Sequence, residues 1–432
     1  MLTGYYAPTP GGDTIFCIDP RPIKFGPGAV GEIGDDAKAL GLSRVVVFTD
    51  KTVLNLTPAQ KALESLRAGR IDYALYDETA IEPTDQSFLA ATDFVREGGF
   101  DGIVSIGGGS VIDTAKAANL LTTHPLELLT FVNKPIGAGQ PVPGPLMPHI
   151  ACPTTSGTGS ETTGVAVFDL VSQQVKTGIS SKYLKPNLGV VDPEFTYTLP
   201  PLVTASTAFD VLTHAIESYT AMPFTQRERP HSPSARPPYQ GANPHSDLGS
   251  LAAIRLGGQY LIAAVQGDNR ARDAMMYAAT MAGISFGNAG VHIPHAMSYS
   301  VAGMIRDYAP DGWPKNHVLC PHGISVVVNA PAAFRFTASA APERHLEAAD
   351  ALGADVRDVA LDGAGEILAS RMIELMRVAG IPNGLQELNY DEADVAALAS
   401  GAYQQQRLLT ISPSPVRQHD LVALYKDAMR YW

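Results

Sequence analysis

The spacing of hydrophobic positions along this chain changes once, near residue 200. Before that point, short apolar runs alternate with stretches of helical spacing. Arg44 to Phe48 is followed by a helix from about Thr57, Ile71 to Tyr76 by one from about Thr84, and Asp101 to Ile106 by one from Ser110. Parallel strands need a crossover element between them, so this alternation predicts a parallel sheet covered by helices. After Pro200-Pro201 the spacing is mostly helical, as in Arg270 to Gly283, Glu343 to Leu352 and Gly363 to Val378. The pattern therefore predicts an α/β domain over residues 1–200 and an all-helical domain over residues 201–432. The segment from Met222 to Pro244, rich in Pro, Ser, Arg and His, reads as an excursion from the helical domain without secondary structure of its own.

Composition narrows the class. A chain of 432 residues exceeds one ordinary core, and 45% hydrophobic with 17% charged residues is globular in character. A formal charge of -12 with no Lys/Arg-rich block argues against a nucleic-acid or anionic-membrane surface. The cysteines, Cys17, Cys152 and Cys320, are odd in number and far apart. They fit packing in a reducing compartment, not a disulfide framework. The first twenty residues mix Pro8, Pro10, Gly11 and Gly12 with Asp13 and Asp19, which matches neither a secretory nor a transit segment. No uninterrupted apolar run reaches the roughly 18 residues that would span a bilayer. The expected compartment is the cytoplasm.

Four places in the chain carry candidate chemistry. Ile106-Gly107-Gly108-Gly109-Ser110 ends a predicted strand and opens a helix, where free amides and the positive helix end suit a pyrophosphate. Close packing is the alternative use of such glycines, and the run matches neither G-x-G-x-x-G nor a Walker A loop. Pro153-Thr-Thr-Ser-Gly-Thr-Gly-Ser-Glu161 adds hydroxyls in a flexible loop, as a nucleotide lining or a plain turn. Asp50 ends the first strand, where a carboxylate either accepts ribose hydroxyls and repels a 2′-phosphate or caps the next element. Finally, Asp210 and His214 stand four residues apart and share one helix face, as metal donors or as an ordinary Asp-His pair. His295 and His322 lie downstream and complete a mixed nitrogen and oxygen set, which suits iron or zinc better than magnesium or calcium.

In sum, the chain resembles the iron-containing alcohol dehydrogenase family, whose fold is shared with dehydroquinate synthase. The likeness runs from Lys24-Phe-Gly-Pro-Gly to the C-terminal helices and rests on Gly107-Gly-Gly-Ser110, Pro153-Thr-Thr-Ser-Gly-Thr158, Asp210-Val-Leu-Thr-His-Ala-Ile-Glu217, Gly287-Asn-Ala-Gly290 and Pro321-His-Gly323. It implies an α/β dinucleotide-binding N-terminal domain and an all-α C-terminal metal-binding domain. It also implies Asp210, His214, His295 and His322 as ligands of a divalent metal, Fe2+ ahead of Zn2+. Asp50, Gly108, Gly109, Ser110, Thr154, Thr155, Ser156, Thr158 and Lys176 are implied to line NAD.

A narrower likeness, to the hydroxyacid-oxoacid transhydrogenases, rests on Lys176-Thr-Gly-Ile-Ser-Ser-Lys-Tyr-Leu-Lys-Pro-Asn187, Arg236-Pro-Pro-Tyr-Gln-Gly-Ala-Asn-Pro-His-Ser-Asp247, Gly290-Val-His-Ile-Pro-His-Ala-Met-Ser-Tyr299 and the insertion before Pro321. Such enzymes keep their nicotinamide bound and pass a hydride from 4-hydroxybutyrate to 2-oxoglutarate. The chain departs from the broader family at Tyr299, where many members carry a second histidine, and at Glu82, where Asn is common. His292 and Tyr299 flank a ligand and are the candidates for relaying the hydroxyl proton. A carboxylate-bearing substrate needs a cation, for which Arg236, Arg306, Lys315 and His317 are available.

A conventional NAD-dependent alcohol dehydrogenase, a dehydroquinate-synthase-like lyase and a metal-stabilised binding protein are the other readings. The partner is expected to be a small hydroxy or oxo acid or an alcohol, with assembly as a homodimer or higher homo-oligomer. Eukaryotic members of the narrower group are mitochondrial. Without a visible presequence, a bacterial cytoplasmic protein is the expectation here.

Overall fold

The computed structural model describes residues 4–173, 175–313 and 318–432. Two compact units are present: Pro20–Thr198, and Met1–Asp19 together with Leu199–Trp432.

The first unit is built on β1 (Ile23–Phe25), β2 (Arg44–Phe48), β3 (Asp72–Tyr76), β4 (Gly102–Gly107), β5 (His149–Pro153) and β8 (Leu188–Val191), with β6 (Val165–Leu170) and β7 (Val175–Ser180) forming a separate antiparallel pair. Its helices are α1 (Ile33–Ala39), α2 (Thr57–Ala68), α3 (Asp85–Gly98), α4 (Gly109–Thr123) and the short α5 (Leu128–Phe131). The six-stranded sheet is parallel, in the order β1-β8-β5-β4-β2-β3. Successive side chains of a strand point to opposite faces, and here both faces are covered. Val45 and Val47 pack with Ala62, Leu63 and Leu66 of α2 on one face. Val46 and Phe48 pack with Ala91 and Val95 of α3 and Val111 and Ala115 of α4 on the other. That double burial is why these strands read as continuous apolar runs. The chain adds β3 on one side of β2 and β4 on the other, so the winding reverses between β2 and β4. In such sheets, ligands bind beyond the carboxyl ends of the strands at that reversal.

The second unit centres on α6 (Pro201–Thr220), α7 (Pro244–Val265), α8 (Asn269–Ala289), α9 (Ile293–Gly303) and α10 (His322–Val327). Pro201 opens α6 in its first turn, where a missing N–H costs nothing. From Ala208 onward every residue of α6 is buried, so it is a central helix and not an amphipathic one. It is flanked by α7, α8 and α10. By length and composition α7 is apolar enough to cross a membrane, although Asp247 and Arg255 interrupt its sequence. Here it packs on α6 and α8, with Gly257 close against Leu212. Asn243 starts α7 with a capping box to Ser246.

The division of the chain differs from the predicted boundary at its start: the segment ending at Asp19 groups with the helical unit. Asp13 is fully buried and pairs with Arg227 at 2.5 Å and with Arg236 at 3.0 Å, both in the Pro-rich excursion. Tyr6 hydrogen-bonds Asp247, and the Cys17 backbone donates to Gln240 Oε1 and accepts from Gln240 Nε2. The excursion itself holds two short 3-10 turns, Phe224–Gln226 and Pro233–Ala235.

Candidate metal centre and nucleotide loops

Asp210 and His214 lie one turn apart on α6, His295 sits in the first turn of α9, and His322 opens α10. Their donor atoms all fall within 4.8 Å of one another. Asp210 Oδ1 is 3.6 Å from His214 Nδ1, 3.5 Å from His295 Nε2 and 3.7 Å from His322 Nε2. Donors about 2 Å from a shared tetrahedral cation stand roughly 3.3 Å apart, so these spacings fit one metal ion. Asp210 Oδ1, His214 Nδ1 and His295 Nε2 are buried and have no hydrogen-bond partner. Buried polar atoms are rarely left so, and three converging on one point are accounted for by a cation.

The surroundings hold the imidazoles in place. His214 stacks on Phe286 with ring centroids 3.9 Å apart. Gly323 brings α10 against α6: a Cβ there would meet the Ser206 carbonyl oxygen at 1.9 Å. Behind His295 stands Glu217, on the same helix as Asp210 and His214 and fully buried. One of its carboxylate oxygens pairs with His295 Nδ1, and the other accepts the His292 backbone N–H at 2.7 Å. A carboxylate on one ring nitrogen directs the other toward a metal and raises its basicity. Glu217 stood within the quoted motif without a role, because its role arises only when α9 packs beside α6.

Charge follows from this arrangement. Burial alone would raise Asp210, yet the three surrounding imidazoles hold its carboxyl below the ordinary range. Burial pushes His214 down to about 3. Burial also opposes charge on His295, but Glu217 and then Asp210 push it up to about 9. Asp210 and Glu217 thus place two buried carboxylates at the cluster, where a dication would take the place of the proton that they hold on His295.

The nucleotide candidates lie in the other unit. Asp50, Gly107 to Ser110 and Pro153 to Thr158 follow or end β2, β4 and β5, so they share the carboxyl edge of the sheet at its reversal. Gly108 is the N-cap of α4, and the two loops are joined by the Thr154 N–H donating to the Gly107 carbonyl at 3.1 Å. A Cβ on Gly109 would meet Thr158 at 2.8 Å, and one on Gly108 would lie 3.7 Å from Thr155. The glycines thus serve close loop packing and leave the helix end accessible. Thr154 and Ser156 are buried. Asp50 accepts the Thr52 and Val53 N–H groups at 2.8 and 2.9 Å through Oδ1, so one oxygen is already a cap. Ser110 Oγ accepts the Glu82 N–H at 3.3 Å, and Glu82 lies 2.6 Å from Lys176. Lys176 is buried and also pairs with Asp169 at 3.0 Å. Its ammonium is held by two carboxylates.

The profile of the iron-containing alcohol dehydrogenases matches residues 20–193, and that of the C-terminal part of the same family matches residues 239–429. The chain belongs to the iron-containing alcohol dehydrogenase family. It is an oxidoreductase of the iron-containing alcohol dehydrogenase type, a family that implies a divalent metal. It is 45% identical over 414 residues to proteins of Bos taurus and Homo sapiens named hydroxyacid-oxoacid transhydrogenase, mitochondrial, covering 95% of this chain and 89% of each relative. Among solved structures, a 1,3-propanediol oxidoreductase superposes with TM-score 0.84 at 27% identity over 96% of this chain and 100% of the other. A sulfoacetaldehyde reductase from Bifidobacterium kashiwanohense, solved with NAD+, gives 0.78 at 26% over 96% and 99%. The mitochondrial relatives overturn the expectation of a bacterial cytoplasmic protein, which rested on the cysteines, the apolar runs and the character of the first twenty residues.

Family membership leaves the remaining candidates to be placed. His292 is fully buried, with Nε2 3.2 Å from Thr220 Oγ1 and Phe334 edge-on to its ring. Burial pushes it down to about 4. That is the setting of a packed core group, and it does not favour the proton-relay role. Tyr299 is buried one turn after His295 on α9. Arg236 is engaged by Asp13 through Nε and Nη2, so it is not a free partner for a substrate carboxylate. Arg306 is exposed and pairs with Asp394 at 2.7 Å. Lys315 and His317 lie outside the described residues.

Proposed function

We propose that this chain is a hydroxyacid-oxoacid transhydrogenase. It would oxidise 4-hydroxybutyrate to succinate semialdehyde and reduce 2-oxoglutarate to 2-hydroxyglutarate, so that two electrons and two protons leave one acid and enter the other. The observation that carries this reading is the cluster of buried Asp210, His214 and His295 with half-buried His322 in a chain 45% identical to proteins of that name. We assign these four side chains to the metal, with iron(II) ahead of zinc, and metal analysis of anaerobically purified protein distinguishes the two.

When bound, the metal supplies Lewis acidity that lowers the pKa of a hydroxyl and orients it. The nicotinamide supplies the hydride acceptor and donor. The chain's own groups bind and position. Glu217 fixes the His295 ring, and the amides from Gly108 to Ser110 with the hydroxyls of Thr154, Thr155, Ser156 and Thr158 hold the dinucleotide. Lys176, tied to Glu82 and Asp169, acts there as a braced support for the loop carrying Glu82, whose N–H donates to Ser110 Oγ at the start of α4. Tyr299 shares a helix face with His295 and is our candidate for a hydrogen bond to the reacting hydroxyl.

The test is incubation of purified protein with 4-hydroxybutyrate and 2-oxoglutarate, with and without added NAD, followed by assay of 2-hydroxyglutarate. Formation without added NAD is the expected result. Turnover that appears only with added NAD identifies a conventional dehydrogenase instead. A second expectation concerns Asp50, whose Oδ2 is left for a ribose while Oδ1 caps. Asp50→Ser keeps a capping oxygen and removes the charge that repels a 2′-phosphate, so the preference for NAD over NADP falls by tenfold or more in binding assays. An unchanged ratio reduces Asp50 to a cap.

A further inference from the structure

The N-terminal segment up to Asp19 and the stretch from Tyr239 to Asn243 have no part in the chemistry derived so far, yet both converge on one turn of the helical unit. α8 ends at Ala289, α9 starts at Ile293, and only Gly290, Val291 and His292 join them. Both helices serve the metal cluster. Phe286, in the last turn of α8, stacks on the His214 ring at 3.9 Å, and His295 lies in the first turn of α9. The His292 N–H, in the joint itself, meets Glu217. A joint of three residues has little slack, and a metal-binding constellation works only when its groups are held to within about 0.5 Å. The place of this joint therefore sets the aim of two proposed ligands together.

The joint is held from outside. The Gln240 and Gly241 N–H groups donate to the Asn288 and Ala289 carbonyls at 2.8 and 2.9 Å, at the end of α8 where carbonyls have no partner within the helix. Gly290 turns with φ +96°, and a Cβ there would meet Tyr239 at 3.0 Å. The Asn288 side chain joins three segments: its Oδ1 accepts from Asn243 Nδ2 at 2.7 Å, and its Nδ2 donates to the Cys17 carbonyl at 2.5 Å. The same carbonyl accepts from Gln240 Nε2 at 3.1 Å, while the Cys17 N–H donates to Gln240 Oε1 at 2.8 Å. Asn288 and Gln240 are buried, so their donors need the acceptor that the Cys17 backbone brings. The side chains of Thr14, Ile15, Cys17 and Ile18 are exposed, so apolar burial contributes little at this end of the segment. The paired amides hold it, with Asp13 anchoring it just upstream through Arg227 and Arg236.

We propose that Asn288 and Gln240 are positioning residues for the metal centre, and that they act by tying the N-terminal segment, at the Cys17 backbone, to the joint that aims His295 and the ring behind His214. The proposal rests on the metal assignment made above and adds the residues that set its geometry. The experiment strips the whole chain of metal, loads it with cobalt(II) and records the visible absorption bands, which report coordination geometry, for wild type, Asn288→Asp and Gln240→Met. Asn288→Asp keeps the acceptor for Asn243 and loses the donor to Cys17. Gln240→Met keeps the length of the side chain and loses both of its bonds to Cys17. The expected result is displaced cobalt bands in both variants, with retention against a chelator lower by about tenfold. Wild-type bands and retention in both variants overturn the proposal even where their unfolding midpoints fall, because a merely structural tie lowers stability without moving the bands. Bands displaced in only one of two folded variants also overturn it, because both cut the same tie. Wild-type protein that takes up no cobalt is a separate failure, which overturns the metal assignment itself. If one variant does not fold, the other decides.

Discussion

At the scale of single residues, Glu217 is placed to orient a ligand of the proposed metal centre without belonging to it. Its carboxylate is fully buried, and burial alone would raise its pKa. The charge and hydrogen bond of His295, with His292 behind them, hold it below the ordinary range. A glutamine in its place still accepts the His292 N–H but carries no charge, so the His295 ring loses both its fixed tautomer and part of its basicity. Glu217→Gln should therefore weaken metal retention by about 10–100-fold while the fold persists. Dialysis against a graded chelator series, with circular dichroism as the control for folding, measures this. Wild-type retention would sink the positioning role. Asp210, His214, His295 and His322 were legible in the sequence because each is a metal-capable type within a recognisable stretch. Glu217 was visible in the same stretch, yet nothing in linear spacing ties it to a histidine 78 positions away. The engagement of Arg236 by Asp13, 223 positions apart, was hidden for the same reason, which made Arg236 look available.

At the scale of elements, the Pro321-His322-Gly323 motif is a packing device as much as a ligand. Gly323 lies so close to α6 that a Cβ would fall 1.9 Å from the Ser206 carbonyl oxygen and 2.6 Å from its carbon. Neither helix backbone can yield locally, so Gly323→Ala should push α10 off α6 and carry His322 away from Asp210. Overpacking of this kind costs about 1–3 kcal/mol. Loss of metal should accompany a lower unfolding midpoint. Gly144→Ala, where a Cβ meets nothing within 4 Å, is the control and should change neither. A metal-replete Gly323→Ala variant would show that α10 is not held by this contact. The helices and strands flanking β2, β3 and β4 were readable almost to the residue, because each repeats strand, turn and helix. β1 and β8 were not, since three or four residues leave no period to read. β5 was masked by the small-residue loop that follows it, and the pairing of Lys176 with Asp169 was hidden because it exists only once β6 and β7 form a hairpin.

At the scale of the whole molecule, the α/β unit carries none of the proposed metal ligands, so its response to acid can be separated from loss of metal. His149 is the group to follow. Burial, and then the charge of Lys116, push it down to about 3 in the folded unit. In the unfolded chain an imidazole titrates near 6.5. Between those values the unfolded state binds a proton that the folded state does not. Stability is therefore fully present above about pH 6.5 and is lost as pH falls toward 3, by up to about 1.4 kcal/mol per pH unit. His149→Gln retains a group able to bond Ser105 Oγ but cannot be protonated. Between pH 6.5 and pH 5 the variant should lose about 2 kcal/mol less than the wild type. Hydrogen exchange of the β4 and β5 amides reads this locally, because both tryptophans, Trp313 and Trp432, lie in the helical unit and would report on the wrong half. Parallel pH dependences in the two proteins would mean that His149 is charged or solvated in the folded state, which its burial at the start of β5, against Ser105 of β4, argues against.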